Sequence, residues 1–307
     1  MIYFSFLFFC IIFGPLQAKL EDHFKPVLQK KEASRMRGID FIYTINLDER
    51  PEKFAHCIKE LAPYSIEPYR FSAVNGWHLT LDTINDIGVV YDPSLMEGGF
   101  WACSFSEEHA KKPLCSLMNT PGLTYFGHYP NCSPGIIGIL LSHLSILQDA
   151  YDSKYSTIWV MEDDIQVIQN PHIISNLIDE LDSTVGPGGW DILFTDKDTK
   201  DQEGNYTECR GYAWRPNFIP KNPIRFAKRE SIGSFIKTGA RYGAYSMILR
   251  RSALEKLLYF FKKHNLFLPY DLDFYLISNI QMYTVSEDIV STLPRALSDN
   301  RDANFLN

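Results

Sequence analysis

The chain has 307 residues, 45% of them hydrophobic and 22% charged, which is enough apolar material for a sizeable core and excludes a disordered or fibrous protein. Its net charge is -7 and its lysines and arginines are scattered, which argues against a nucleic-acid-binding face, where basic residues would be concentrated. An acidic protein that handles anionic substrates needs a cation to help.

The N-terminus opens on the apolar run IYFSFLFFCIIF (residues 2–13), too short to span a bilayer comfortably, followed by Gly14, Pro15 and a cleavage-type site after Ala18. Residues 1–18 read as a signal peptide, with the mature chain starting near Lys19. No Lys or Arg precedes the run and Leu16 stands where a small residue is preferred, so an uncleaved anchor that associates the protein with a membrane is the competing reading. Both readings make the protein exported or membrane-associated, in a secretory lumen if eukaryotic and in the cell envelope if bacterial. A secretory lumen imports nucleotide sugars, whereas a periplasm lacks them.

Without Cys10 the cysteines are Cys57, Cys103, Cys115, Cys132 and Cys209, with none of the paired spacings of a zinc site. Cys103, Cys115 and Cys132 share one loop-like region, where an exported protein could form a disulfide; buried free thiols are the alternative. Sequons at Asn131 and Asn205 matter only in a eukaryotic secretory pathway.

Strand and helix then alternate. FIYTI (41–45) is a buried-strand candidate, and PEKFAHCIKEL after it spaces Phe54, Ile58 and Leu61 as a helix does. A long stretch between Gly76 and Gly135, rich in Gly, Pro, Cys and aromatics, is expected to be functional or partly folded on its own. GILLSHLSILQDAY (138–151) puts Leu140, Leu144, Leu147 and Tyr151 on one helical stripe and leads into a strand at 157–161. A helix with Ile173, Leu177, Ile178 and Leu181 inward and a strand at 190–194 follow, then loops and short strands over 195–239. After a strand at 244–249, Ser252 and Glu255 form a capping-box pattern opening a helix that closes on Lys262 and Lys263. The fold expected is α/β, a Rossmann-type, mostly parallel sheet flanked by helices in a single domain with a long inserted loop region.

The stretch TIWVMEDDI carries the most chemistry. Glu162, Asp163 and Asp164 sit at the carboxyl end of a strand, where open α/β sheets bind ligands. In an extended chain Glu162 and Asp164 would point to one side and Asp163 to the other. Mg²⁺ and Mn²⁺ are commonly held by one or two carboxylates plus substrate phosphates, so a metal bridging a diphosphate would account for the triplet. Turn formation is the plainer account, since Asn170-Pro171 shows that the chain turns nearby. Asn46, Asp48 and Arg50, at the end of the first strand, favour a site.

FIYTINLDERPEKF, RFSAVNG, GIIGILLSHLSILQDA and IWVMEDDI, followed in order by DILFTD, YGAYSMILRRSALEKLL and PYDLDFYL, resemble glycosyltransferase family 25, which includes lipopolysaccharide and procollagen galactosyltransferases. The resemblance spans roughly residues 39 to 276. It divides the chain into a linker (19–38), a family domain (39–297) and a C-terminal tail (298–307). It implies a GT-A-like fold, a nucleotide-sugar donor such as UDP-galactose, and inverting transfer to a hydroxyl of a glycan, lipopolysaccharide or glycoprotein. By the same resemblance Asp164 is the expected direct ligand of Mn²⁺ (or Mg²⁺) with Glu162 beside the nucleotide sugar, and Asn46, Asp48, Arg50, Ser142, His143 and Asp163 are expected on the donor side. His143 could equally bond a neighbouring backbone group. Ile139 departs from the family, whose members often carry Cys there.

Inverting transfer needs a carboxylate opposite the metal to take the acceptor proton. Asp271 and Asp273 in PYDLDFYL are the candidates, read in an extended loop that aims both to one side; capping a helix at 274–277 is their other reading. Tyr242 and Tyr245 could stack on a sugar or a base, or be buried sheet aromatics. The alternative function is a catalytically inactive family member that binds carbohydrate or serves adhesion. A nucleotidyltransferase would want a Gly-rich or basic phosphate loop near its start, which is not apparent, and a structural envelope protein is favoured only by the leader.

Overall fold

Six consecutive buried residues, Phe41–Asn46, rich in aromatic and β-branched side chains, make β1. The computed structural model containing it describes residues 18–30, 36–96, 99–110, 112–127, 132–201, 203–296 and 298–299. The expected leader at 1–18, except Ala18, lies outside the described residues, as do the Asn131 sequon and the tail beyond Asp299. α1 (Pro51–Leu61) opens on a proline whose missing N–H costs nothing in the first turn, and buries Cys57 and Leu61 before β2 (Tyr69–Ser72) returns parallel to β1.

The region between Gly76 and Gly135 is folded. α2 (Leu81–Ile87) leads into β3 (Val89–Val90), β4 (Trp101–Ser104), β5 (Leu114–Leu117) and β6 (Thr124–Gly127), a small antiparallel sheet in the order β3-β6-β4-β5. Cys103 faces Cys115 across β4 and β5, and the two form a disulfide.

α3 (Pro134–Asp152) is capped by Ser133, whose Oγ accepts the Ile136 N–H at 3.3 Å, and is buried nearly all round, at Leu140, Leu141, Leu144 and Leu147 among others. It packs on β1 and on the later helix Arg251–His264, each buried leucine contributing about 1.5–3 kcal/mol. Gly76 and Gly138 let the chain press onto this helix. A Cβ at Gly76 would stand 1.7 Å from the Pro134 carbonyl oxygen, and one at Gly138 2.5 Å from the Gly76 nitrogen. That contact fixes residues 74–77 beside the end of β1.

β7 (Thr157–Glu162), β8 (Ile165–Val167), α4 (Ile173–Val185) and β9 (Ile192–Phe194) follow, then β10 (Arg229–Ile232), β11 (Phe235–Thr238), β12 (Ser246–Arg250), α5 (Arg251–His264), the single turn α6 (Tyr270–Asp273), β13 (Met282–Val285) and β14 (Val290–Thr292). The central sheet has eight strands in the order β10-β11-β13-β9-β12-β7-β1-β2, and β8 pairs with β14 apart from it. No described helix is long and apolar enough to cross a membrane.

Three expectations are corrected. The sheet is mixed: β12 runs antiparallel to both β7 and β9, and β11 antiparallel to β10 and β13, so parallel pairing is confined to β2-β1-β7 and β9-β13. A strand buried on both faces is a continuous apolar run whichever way it points, so its sequence does not state its direction. Ser252 caps nothing; its hydroxyl donates to Asp191 Oδ1 at 2.6 Å while α5 starts from Arg250. Asp271 and Asp273 lie in a helical turn, not in extended chain, so they diverge.

Candidate active site

β1 and β7 are parallel neighbours, with Ile45 opposite Glu162, so their carboxyl ends open on one edge of the sheet. β7 ends at Glu162, and Asp163 and Asp164 make a turn before β8. Aspartate forms such turns readily, and here the turn brings all three carboxylates to one recess where extended chain would have sent Asp163 away. Turn formation and a site therefore coexist in the same residues.

Each acid has a distinct environment. Glu162 Oε1 lies 3.3 Å from Nε2 of His143, a residue only 1% exposed whose ring stacks on Tyr270 with centroids 4.3 Å apart. Asp163 Oδ2 accepts from Asn46 Nδ2 at 2.7 Å; burial pushes its carboxyl up to about 6, against the pull of Asn46 and Lys53. Asp164 is partly exposed as a residue, yet its Oδ1 is shut from solvent and has no hydrogen-bond partner. Burial, then the charges of Glu162 and Asp163, push its carboxyl up to about 7.

A buried, orphaned carboxylate oxygen beside two more acids is a donor set that suits a hard divalent cation. No three His, Cys, Asp or Glu side chains converge as a complete metal cage among the described residues. Such a cation would rest on one or two carboxylates and on oxygens of its substrate.

Sequence reasoning named Arg50 but missed Lys53, which lines the recess. Lys53 in the first turn of α1 reaches Asp299 Oδ2 at 2.6 Å, Arg50 pairs with the same carboxylate, and Trp77 Nε1 donates to the Asp299 carbonyl at 3.3 Å. β14 delivers this tail: it pairs with β8, and the Leu293 N–H donates to the Asp164 carbonyl at 2.7 Å. With Ser298 and Asp299 in its lining, the recess encloses only about 70 Å³. Lys53 was legible only as one of many polar residues on an amphipathic helix.

The other predicted residues divide between contact and support. Asn46 is a clamp, donating also to the Arg50 carbonyl at 2.8 Å and accepting from Arg70 Nε at 2.7 Å. Asp48 lies outside the recess, bonded to Ser72 Oγ at 2.7 Å and Arg70 Nη2 at 2.8 Å, and these partners hold its carboxyl below the usual range. Ser142 is fully buried; it accepts the Val74 N–H at 2.8 Å and donates to the Gly138 carbonyl at 2.8 Å, holding the glycine contact together.

The two candidate bases separate clearly. Asp271 Oδ2 accepts the Gly243 N–H at 2.7 Å; burial raises its carboxyl, and the charge of Glu162 raises it further, which places it within electrostatic reach of the triplet. Asp273 is wholly buried, 2.7 Å from Arg215 Nη1, and accepts the Leu268 N–H at 3.2 Å. That pairing makes Asp273 a packing element. Tyr245 is likewise buried, its hydroxyl 2.9 Å from Arg241 Nη2 and bonded to Asp196. Tyr242 instead lines a second, larger cleft of about 680 Å³ beside Asp271, together with Phe100, Trp101, Tyr212, Trp214 and Tyr275.

Similar proteins are known. Glycosyltransferase 25 family members of Aedes aegypti and Drosophila melanogaster are 26% and 23% identical to this chain over 172 and 175 residues, 56% and 57% of its length. Those matches cover 23% and 24% of the relatives, so the chain aligns with about a quarter of each. Among solved structures, the crystal structure of A197 from STIV aligns with 48% of this chain and 63% of its own at 14% identity and a TM-score of 0.30, below the level that establishes a common fold. The model of glycosyltransferase family 25 (LPS biosynthesis protein) matches residues 39–274, most of the chain and all of both strand ends that form the recess, and the protein belongs to that family.

Proposed function

We propose that this protein is an inverting glycosyltransferase of GT-A type that moves a hexose, galactose in the first instance, from a UDP-sugar to a hydroxyl of a glycan, lipopolysaccharide or glycoprotein. The observation that carries the reading is the orphaned Asp164 Oδ1 beside Glu162 and Asp163, facing Lys53 across the recess. Asp164 and Glu162 would hold Mn²⁺ or Mg²⁺. When bound, the cation would supply charge neutralisation at the leaving diphosphate.

The chain's own residues do the rest. His143 orients Glu162, and Asn46 orients Asp163. Arg50 and Lys53 turn from the Asp299 carboxylate to the donor phosphates, so donor entry requires the tail to leave a recess too small to hold a nucleotide sugar. Asp271, held through Oδ2 by the Gly243 N–H, takes the acceptor hydroxyl proton as that oxygen attacks the anomeric carbon in line with the departing diphosphate. The Cys103–Cys115 disulfide supports export into an oxidising compartment.

Calorimetric titration of UDP-galactose with and without Mn²⁺, on the wild type and on Asp164→Asn, tests the reading. Mn²⁺ should tighten donor binding in the wild type and not in the variant. Equal metal-dependent affinity in both proteins removes Asp164 as the ligand, and no binding in either removes the donor assignment.

A further inference from the structure

The aromatic cleft is not accounted for by the donor. It runs from β4 of the small disulfide-linked sheet to the loop at 209–214 and on to α6, and among the described residues its lining contains no charged side chain. Trp101 and Trp214, from segments far apart in sequence, are 58% and 65% exposed, large aromatic surfaces that folding leaves in water. Tyr212 lies against Trp214 with centroids 5.2 Å apart. At Gly99 and Gly211 an added Cβ would meet nothing within 4 Å, so bare backbone faces open space between the rings.

We propose that this cleft is the acceptor subsite and takes a neutral saccharide chain, its pyranose rings stacked on Trp101 and Trp214. The proposal rests on the transferase reading of the acidic recess. Three features select the occupant. A pyranose has an apolar C–H face and a polar edge, which matches rings interspersed with exposed backbone N–H and C=O groups. A basic peptide or a phosphorylated glycan would find no counter-charge among the described residues of the lining. The volume of about 680 Å³ falls within the range of about 300–1,000 Å³ usual for small-molecule sites, room for a few sugar rings. The cleft also lies near the candidate base in the chain: Tyr242 and Leu272 line it, and they flank in sequence the two partners of the Gly243–Asp271 hydrogen bond.

Tryptophan fluorescence of the full chain, titrated without donor, is the test. The probes are cellotetraose, maltotetraose and a β-galactotetraose, set against a neutral nonapeptide and a C12 alkyl glycerol. At least one tetrasaccharide should bind saturably and shift emission to shorter wavelength, and Trp214→Ala and Trp101→Ala should each weaken that binding at least tenfold. Their circular dichroism should stay that of the wild type, as expected for substitutions of exposed side chains. The subsite is overturned if no tetrasaccharide saturates at millimolar concentration, if the peptide or alkyl probe binds in preference, or if both variants keep saccharide affinity. Absence of Mn²⁺-dependent UDP-galactose binding by the wild type, with saccharide binding intact, overturns the transferase reading and with it the acceptor role, and leaves the cleft as a saccharide site.

Discussion

The acidic recess and the aromatic cleft are built in opposite ways. The recess takes three consecutive acids from one strand end and sets them beside the end of the neighbouring strand, with Ile45 opposite Glu162. These three acids are consecutive in sequence, and burial and their mutual repulsion raise the Asp163 and Asp164 carboxyls. The cleft gathers aromatic residues from five separate stretches and carries no charge among its described residues. A site that must hold charge needs its groups close together on a rigid edge, whereas a site that stacks rings can be assembled from distant segments. Substitutions on the two sides should therefore fail in different ways.

The largest effect is expected at the candidate base. Asp271→Asn should lower transfer by roughly 10² to 10⁴, the usual loss of a general base, with UDP-galactose affinity unchanged. Steady-state rates beside calorimetry measure both quantities, and wild-type turnover in the variant would remove Asp271 as the base.

Asp273, two residues on, should respond in stability and not in mechanism. Asp273→Ala strands the buried Arg215 guanidinium, which also donates to the His264 carbonyl at 2.6 Å, and should cost about 3–5 kcal/mol in urea unfolding. Replacing both partners, as Asp273→Leu with Arg215→Met, should recover most of that loss. Full stability in the single variant would show that the pair does not hold the fold.

A smaller effect should come from the tail. Asp299→Asn removes the carboxylate that competes for Arg50 and Lys53, and should tighten UDP-galactose binding by up to about tenfold by raising the fraction of open recess. Unchanged or weaker binding would mean that the tail is not a competitor of the donor.

The smallest effect is a pH slope. Asp163 and Asp164, raised to about 6 and about 7, bind protons more tightly in the folded protein than in the unfolded chain. The stability those protons provide is complete below about pH 4, the unfolded value, and is lost as pH rises to about 7. Thermal melts without metal should show Asp164→Asn flattening that decline, and Mn²⁺ should raise the wild-type melting temperature by on the order of a few degrees at pH 8 and by less at pH 5. Parallel pH profiles for the two proteins would contradict the assignment.

Much of this architecture was legible in local sequence. Phe41–Asn46 and Thr157–Glu162 are apolar runs ending in polar groups, and they form adjacent strands of one edge; the helical spacing of Leu140, Leu144 and Leu147 yields a buried helix. Such features depend on side-chain period and on a strand's own end, both written in consecutive residues.

Other features waited for the fold. Strand direction in the mixed sheet, the helical turn that separates Asp271 from Asp273, and the pairing of Asp273 with Arg215 depend on segments that meet only after folding. Asp299 contacts Lys53, and Trp101 and Trp214 line one cleft, the residues of each pair being more than a hundred positions apart. Sequence alone determined which residues could carry charge to a strand end, because neighbouring side chains there share one local backbone. Only the tertiary structure decided which of those charges is orphaned, which is neutralised and which faces a substrate, because burial and partners are properties of the space between distant segments.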